Sequence, residues 1–546
     1  MKRSTPSADS AGRSRPAPDA RLVVFLFLWI ALLALGPTRM LQDPGAFWHT
    51  VVGERMLTEG HVVSTDSFSF THEGDEWLAQ QWLGECAMAL VHRVAGLDGV
   101  ILLAATIIAA IFTVIFGRFA KSGPPLPMCV VATIIAIGAS SYHFIPRPHL
   151  ATLAGMTLLT LILLDVESGR ISQTRLWILP PMFVLWANTH GGVLGGLATL
   201  LIFAMAWLLC PRFLRQPSRI DRSGASNDAD LADTIPFAKP RAPLLATIVG
   251  LATISILVNP FGPALPRVWI SLMGSSVIPK VIIEHARLAP FSPEGGMILL
   301  LAAVYFFLLN NVRRRGLRVA WLLPAIWFPL ALSRVRHGPI FAIVTALTVA
   351  DMLPYAPACR KWLDAIGPLK SAPRRRPGAW PFAVAVIVLF AAALGIQAAG
   401  WRIPLIGAGR CAPTNAIWPV KAVAVLDSDL GNASRSAHVF NEMRFGGYLA
   451  YAAPAAKIYI DDRCELYRDE GLLRYIELQR RPERIPGEAA RYRFDYALVR
   501  TGSPVCTFLK TSGAWSLMHS DATATLLKST AESSASCAIA KHQPHG

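Results

Sequence analysis

Long apolar runs separated by short polar segments fill the chain as far as residue 400. Several of these runs have about 17 residues or more, which is long enough for a helix to cross a bilayer. The pattern therefore predicts an α-helical polytopic membrane protein. We place about eleven transmembrane helices near residues 22–39, 98–117, 127–144, 149–165, 176–189, 191–210, 242–258, 297–312, 319–333, 338–353 and 380–400.

The pattern changes after residue 400, where short apolar runs alternate with helical segments. The runs typical of buried strands are 422–426, 457–460, 496–499 and 523–528, and the helical segments are 441–452 and 469–479. Strands that alternate with helices indicate an α/β unit. The sequence thus predicts a disordered basic tail at 1–21, a transmembrane domain at 22–400 with its first loop at 40–97, and a small α/β domain at 401–546.

The composition supports a membrane protein, because 53% of the residues are hydrophobic and only 16% are charged, against about 25% in soluble proteins. The net charge of +17 does not indicate nucleic-acid binding, since most Lys and Arg residues lie in short loops between apolar runs. With the N-terminus in the cytoplasm, the inside segments hold about 25 of them and the outside loops about 8, as the positive-inside rule requires. An odd number of spans then makes the C-terminal domain extracytoplasmic, and we expect a bacterial inner membrane protein of the cell envelope.

The first outside loop is unusually rich in acids, tryptophan and histidine. Asp43 follows the first span, with His49 and Glu54 shortly after it. At a water-facing mouth, Asp43 could deprotonate a hydroxyl or bind a divalent cation such as Mg²⁺ or Mn²⁺. The end of the loop, 79–95, has the apolar spacing of an amphipathic helix that lies along the membrane surface or packs outside it.

Further polar residues follow or precede the spans on the same outer side. They are Arg147 and His149, Asn188 and His190, Glu284, and Arg334, Arg336 and His337. Each would be costly at membrane depth, so their clustering predicts a polar cavity that opens outward. Singly, each could instead cap a helix or contact a lipid headgroup. The arginines could bind phosphate oxygens, and a phosphate whose tail lies between helices suggests a polyprenyl phosphate.

Several motifs carry a resemblance to a known class. They are Asp43 with Trp48-His49, Gly53, Asp66-Ser67-Phe68-Ser69, Trp82-Leu83, Arg147-Pro148, Trp186-Ala187-Asn188-Thr189-His190-Gly191, Asn259-Pro260-Phe261-Gly262, Phe440-Asn441, Gly446-Gly447-Tyr448 and Asp461-Asp462-Arg463. The pattern resembles the GT-C glycosyltransferases, and most closely a bacterial group among them. The resemblance implies polyprenyl-phosphate sugars as donors, and Asp43 as the catalytic acid residue of the first loop. Many members have two adjacent acids there, whereas Pro44 follows Asp43 in this chain.

The two late motifs allow two interpretations. Gly446-Gly447-Tyr448 and Asp461-Asp462-Arg463 could bind a substrate or a partner. Alternatively, Arg463 could pair with Asp461 or Glu465 and fix a turn.

The sequence therefore predicts a membrane glycosyltransferase that moves a sugar from a polyprenyl-phosphate donor to an extracytoplasmic acceptor. It does not identify the sugar or the acceptor. Asp43 would act as base or metal ligand, His49 and Glu54 would assist it, and the polar residues of the outer mouths would bind the donor. The alternative is a non-catalytic membrane protein, either a transporter or a scaffold with an outside binding domain. Transporters often contain repeats, and none is visible here.

Overall fold

The computed structural model describes residues 20–209, 235, 237–313, 316–359, 379–403, 407–431 and 436–530, so residues 1–19 of the predicted tail lie outside it. The helices up to residue 400 are α1 (Ala20–Leu35), α2 (Pro37–Met40), α3 (Gly45–Glu59), α4 (Trp82–Lys121), α5 (Leu126–Gly138), α6 (Leu150–Glu167), α7 (Leu179–Thr189), α8 (Val193–Leu209), α9 (Ala242–Ser255), α10 (Ala264–Gly274), α11 (Ile278–Val281), α12 (Pro293–Val312), α13 (Leu323–Ser333), α14 (Gly338–Met352) and α15 (Ala379–Ala399).

Helices long and apolar enough to cross a membrane are present among the described residues. Four meet the length of a full span, namely Trp82–Lys121, Leu150–Glu167, Pro293–Val312 and Val335–Tyr355, and shorter apolar helices accompany them. Each predicted span overlaps a helix. The chain is an integral membrane protein by these features, and the count of about eleven spans stays a prediction.

Helix α4 consists of two helices joined at Ala95 and Gly96, whose backbone angles are not helical. Gly96 has a φ of 59°, in the region that glycine adopts most readily. The kink separates the predicted amphipathic segment from the span that follows. The first part of α4 packs closely on α3, because a Cβ on Gly53 would lie 2.0 Å from the Glu85 carbonyl oxygen.

An ionic cluster fastens the C-terminal ends of α4, α6 and α14. Asp351 accepts hydrogen bonds from Arg318 at 2.7 Å and Trp321 at 2.8 Å, and Arg118 also contacts it. Glu167 accepts from the backbone N–H groups of the segment after residue 318, at 2.6 and 2.8 Å. Burial of Arg318 is tolerated because its charge is paired and hydrogen-bonded.

After residue 400 the chain forms a mixed sheet with flanking helices. The helices are α16 (Val420–Leu430), α17 (Met443–Ala452), α18 (Cys464–Arg480), α19 (Ile485–Tyr492) and α20 (Pro504–Thr511), and the strands are β1 (Arg402–Ile403), β2 (Gly407–Ala408), β3 (Ala437–Asn441), β4 (Ala456–Ile458), β5 (Tyr496–Arg500), β6 (Trp515–Ser520) and β7 (Ala524–Ser529). The strand order of the larger sheet is β4-β3-β5-β7-β6. Strand β3 runs parallel to β4 and β5, and β7 is antiparallel to β5 and β6.

The strand predicted at 422–426 is wrong, because this segment belongs to α16. Its buried residues are Ala422, Val423, Leu426 and Leu430, and this spacing puts them on one face of a helix. A short apolar run of this kind fits a strand and a helix equally well. The other predicted strands overlap β4, β5 and β7. That this unit is a separate domain outside the membrane stays a prediction.

The first loop lies along the free edge of β4. Ile458 N–H donates to the Phe68 carbonyl at 3.0 Å, and Phe70 N–H donates to the Ile458 carbonyl at 3.1 Å. These bonds supply partners for the backbone N–H and C=O groups of Ile458 at the edge of the sheet. They also bring the loop that carries Asp43 beside the turn that follows β4.

Candidate active site

Asp43 stands just before α3 and is held by two contacts on the same oxygen. Its Oδ1 accepts a hydrogen bond from Gly45 N–H at 2.8 Å, a local bond to the backbone two residues further on. Arg147 Nε contacts Oδ1 as well. A Cβ on Gly45 would lie 2.1 Å from Arg147 Nε, so glycine permits this approach.

The other nitrogens of Arg147 contact two further carboxylates. One terminal nitrogen, Nη2, contacts Asp462 Oδ2, and the other, Nη1, lies 3.6 Å from Glu284 Oε1. The three acids come from the first loop, the turn after β4 and the segment between α11 and α12. Only 10% of the Asp462 side chain and 18% of the Arg147 side chain are exposed. We call these four residues the arginine–carboxylate cluster.

Two acids of this cluster, Asp43 and Glu284, have very different pKa values. Burial raises the pKa of Asp43 to about 7, Arg147 opposes the rise, and Glu284 and Asp462 reinforce it. Burial would also raise the pKa of Glu284, but Arg147 and other basic neighbours lower it to about 2. Asp43 Oδ2 has no hydrogen-bond partner among the described residues. Asp43 can therefore gain or lose a proton near neutral pH at an oxygen that Arg147 does not occupy.

The two residues predicted to assist Asp43 lie in different surroundings. His49 Nδ1 is 2.9 Å from Glu85 Oε1, and both side chains are almost fully buried. Glu85, which was not among the predicted residues, is therefore the buried partner of His49. Glu54 instead forms an ion pair with Arg93 on the surface, where both side chains are 43% exposed. The structure does not bring Glu54 to the arginine–carboxylate cluster.

The predicted histidines between α5 and α8 lie close together. His149 Nε2 is 3.0 Å from the His143 carbonyl, and its ring centroid is 6.4 Å from that of His190. His190 Nδ1 accepts from Gly192 N–H at 3.0 Å and contacts the Thr152 hydroxyl at 2.7 Å. Since Nδ1 is an acceptor here, a neutral His190 carries its proton on Nε2.

Asn188 has a complete set of contacts within the protein. Its Oδ1 accepts from Trp82 Nε1 at 2.7 Å, and its amide donates to the carbonyls of Val184 and Val258, both at 2.8 Å. The side chain thus joins α4, α7 and the segment after α9. This arrangement fits a structural role for Asn188.

Of the two arginines predicted before α14, one contacts the segment that carries Glu284 and the other contacts α10. Arg336 Nη1 lies 2.6 Å from His285 Nε2, while Arg334 donates to the Met273 carbonyl at 3.3 Å. His337 Nδ1 is 3.1 Å from the Leu330 carbonyl. An arginine only donates hydrogen bonds, so His285 Nε2 is the acceptor and a neutral His285 carries its proton on Nδ1.

His285 Nδ1 is buried and has no hydrogen-bond partner in the described part of the chain. Burial and Arg336 lower the pKa of His285 to about 3, which keeps the ring neutral. An unpaired buried N–H is costly. A bound acceptor group, such as a phosphate oxygen, would satisfy it.

The late acidic motif contributes to both the site and its support. Arg463 donates to Asp461 at 2.8 Å, one of the two pairings that the sequence allowed, and to Asp66 at 2.6 Å. Asp462, which lies between Asp461 and Arg463 in the chain, contacts Arg147. The sequence marked this motif but gave no sign that Asp462 meets Arg147, since 315 positions separate the two residues.

The described side chains offer no preformed site with three or more ligands for a divalent cation, and binding of Mg²⁺ or Mn²⁺ stays a prediction. No group of three His, Cys, Asp or Glu residues among them is arranged to hold a metal ion. The three acids that come closest surround the guanidinium of Arg147, which takes the central position. No catalytic step is therefore assigned to a metal.

Comparison with solved structures identifies the fold class. The oligosaccharyltransferase of Archaeoglobus fulgidus, tethered to an acceptor peptide, matches with a TM-score of 0.51 and 12% identity over 88% of this chain and 68% of that chain. ArnT from Cupriavidus metallidurans bound to undecaprenyl phosphate matches with a TM-score of 0.48 and 12% identity over 94% of this chain and 98% of that chain. The likeness to the archaeal enzyme shows that the chain has the fold of GT-C glycosyltransferases, as its motifs predicted.

Sequence comparisons add nothing to this assignment. No protein-family model matches the chain. A search of curated proteins also finds no match.

Proposed function

We propose that the protein is a membrane glycosyltransferase that moves a sugar from a polyprenyl-phosphate donor to an extracytoplasmic acceptor. The observation that carries this proposal is the position of Asp43, whose Oδ1 contacts Arg147 and whose Oδ2 has no hydrogen-bond partner in the part of the chain that the structure describes. A carboxylate with a pKa of about 7 suits a general base at physiological pH. The GT-C fold supports the reaction class, although fold alone does not establish an activity.

Asp43 Oδ2 takes the proton of the acceptor hydroxyl while the hydroxyl oxygen attacks the anomeric carbon of the donor sugar. The bond between that carbon and the phosphate oxygen breaks, and its electron pair leaves with the polyprenyl phosphate. Arg147 holds Asp43 in position through this step. The side-chain nitrogens of Arg147 contact carboxylates, so Arg147 is poorly suited to the role that the sequence predicted for it, phosphate binding.

Arg336 and His285 are better suited to the departing phosphate. Both groups are donors, and the His285 Nδ1 hydrogen has no partner among the described side chains. Hydrogen bonds from a charged donor to phosphate are strong. Arg334, on the same turn as Arg336, adds positive charge for the growing negative charge of the leaving group.

The Lys and Arg asymmetry supports an orientation with the N-terminus in the cytoplasm and the C-terminal unit outside. The resemblance of the motifs to a bacterial group favours the bacterial inner membrane as the location. Cysteine introduced at Asp75, an exposed position of the first loop, tests this orientation. An impermeant thiol reagent should label this cysteine in intact spheroplasts. Labelling only after lysis would place the loop in the cytoplasm and contradict the proposal.

A transfer assay with purified protein tests the activity. The protein is incubated with a panel of polyprenyl-phosphate sugars and a membrane extract as acceptor source, and released polyprenyl phosphate is quantified. We expect release by the wild type, a reduction of about 100-fold or more for Asp43→Asn, and wild-type release by Asp75→Asn, which removes an exposed acid of the same loop. Equal release by both variants would remove Asp43 from the reaction. Donor binding without release would favour a scaffold or transporter.

A further inference from the structure

We propose that Arg147 acts as a built-in cation, and that its guanidinium takes the place of a divalent metal ion between Asp43, Asp462 and Glu284. This inference concerns the organisation of the site. It can be tested by cation binding alone, whether or not the protein transfers sugars.

The geometry matches this role. The three side-chain nitrogens of Arg147 contact three different carboxylates, through Nε, Nη2 and Nη1. Carboxylate oxygens from separate segments are the ligands that Mg²⁺ and Mn²⁺ prefer. A cation is already present where such an ion would be bound, and its charge is covalently attached to the chain.

One carboxylate oxygen of the cluster has no hydrogen-bond partner among the described residues. Asp462 is 90% buried, since 10% of its side chain is exposed, and its Oδ1 has no hydrogen-bond partner in the described chain. Removal of Arg147 would thus leave three partly buried acids facing one another. Such a group must take up protons or bind a cation, because unpaired buried charge is costly.

The backbone around Arg147 fixes its position. Pro146 and Pro148 flank it, and a residue between prolines has few accessible conformations. The Arg147 N–H also donates to the Ile145 carbonyl at 2.9 Å. This backbone carries the guanidinium whose ion pairs join the first loop, the segment before α12 and the turn after β4 without an exchangeable ion.

The test is to remove the guanidinium and measure Mn²⁺ binding by electron paramagnetic resonance on purified full-length protein. We expect Arg147→Met to bind Mn²⁺ in proportion to the protein and to gain thermal stability when Mn²⁺ is added. The wild type should do neither. Arg147→Lys, which keeps a charge at the position, should not acquire the site.

Two controls show where the ion binds. The double variant Arg147→Met with Asp462→Asn should lose the acquired Mn²⁺. The matched control Arg93→Met, which removes an arginine from an exposed pair with Glu54, should bind none.

A folded Arg147→Met that binds no Mn²⁺ would overturn the inference. If Arg147→Met cannot be purified as a folded protein, Mn²⁺ binding by the wild type is the deciding measurement. Specific Mn²⁺ binding by the wild type that Asp462→Asn abolishes would show that Arg147 does not replace the ion, and an absence of such binding would support the proposal.

Discussion

Arg463 donates a hydrogen bond of 2.6 Å to Asp66, which lies 397 positions earlier in the chain. Both side chains are at most 1% exposed. The guanidinium also pairs with Asp461 at 2.8 Å and lies 4.7 Å from the centre of the Trp77 ring. The first loop and the C-terminal unit are thus joined at a buried charged centre, next to the residue that reaches Arg147.

Replacing Arg463 by Met should destabilise this junction by about 3–5 kcal/mol, because two buried carboxylates lose their partner. The measurement is the midpoint of thermal unfolding of the purified protein, followed by tryptophan fluorescence. Arg93→Met serves as the control, since it breaks only an exposed pair and should leave the midpoint unchanged. Equal midpoints for all three proteins would show that the buried pairs do not hold the loop to the sheet.

The pH dependence of sugar transfer should follow the ionisation of the Asp43 carboxyl group. Folding raises its pKa from the usual 3.8 to about 7, so protonation favours the folded state at low pH. That contribution is lost as the pH rises through about 7. Activity follows the opposite trend, since only the ionised form is a base, and kcat/KM should rise through about pH 7. A rise centred near pH 4 would mean that Asp43 is not the titrating base.

Gly45→Ala should lower activity although alanine favours helices over glycine by about 1 kcal/mol. The new Cβ would lie 2.1 Å from Arg147 Nε, so the guanidinium and Asp43 must move apart. Gly296→Ala is the matched control, because a Cβ there has no heavy atom within 4 Å. We expect a lower kcat for Gly45→Ala alone. The same kcat in both variants would show that this contact does not position the base.

Asn188→Asp separates a structural role from a substrate-binding role. Aspartate keeps the oxygen that accepts from Trp82 but loses the two donors to Val184 and Val258. We expect a stability loss of about 1–3 kcal/mol from the unsatisfied groups, measured as a lower unfolding midpoint. An unchanged midpoint with a raised KM for the donor would instead support the substrate contact that the sequence predicted.

The pattern of apolar runs predicted most helices of the transmembrane domain, because a helix that crosses a bilayer must present apolar side chains to the lipid. Asp43 and Arg147 were both marked by their places at the outer mouths, yet their contact joins residues 104 positions apart. No spacing rule reports such a contact. Glu85 was missed for a different reason. It lies in an amphipathic helix, where an acid is ordinary, and only the packing of α3 on α4 brings it to His49.

A structure of the protein with bound polyprenyl phosphate would test the central claim most directly. We predict phosphate density within hydrogen-bonding distance of Arg336 and His285. Phosphate density at the opposite helix ends, beside Arg118 and Arg318, would contradict the account.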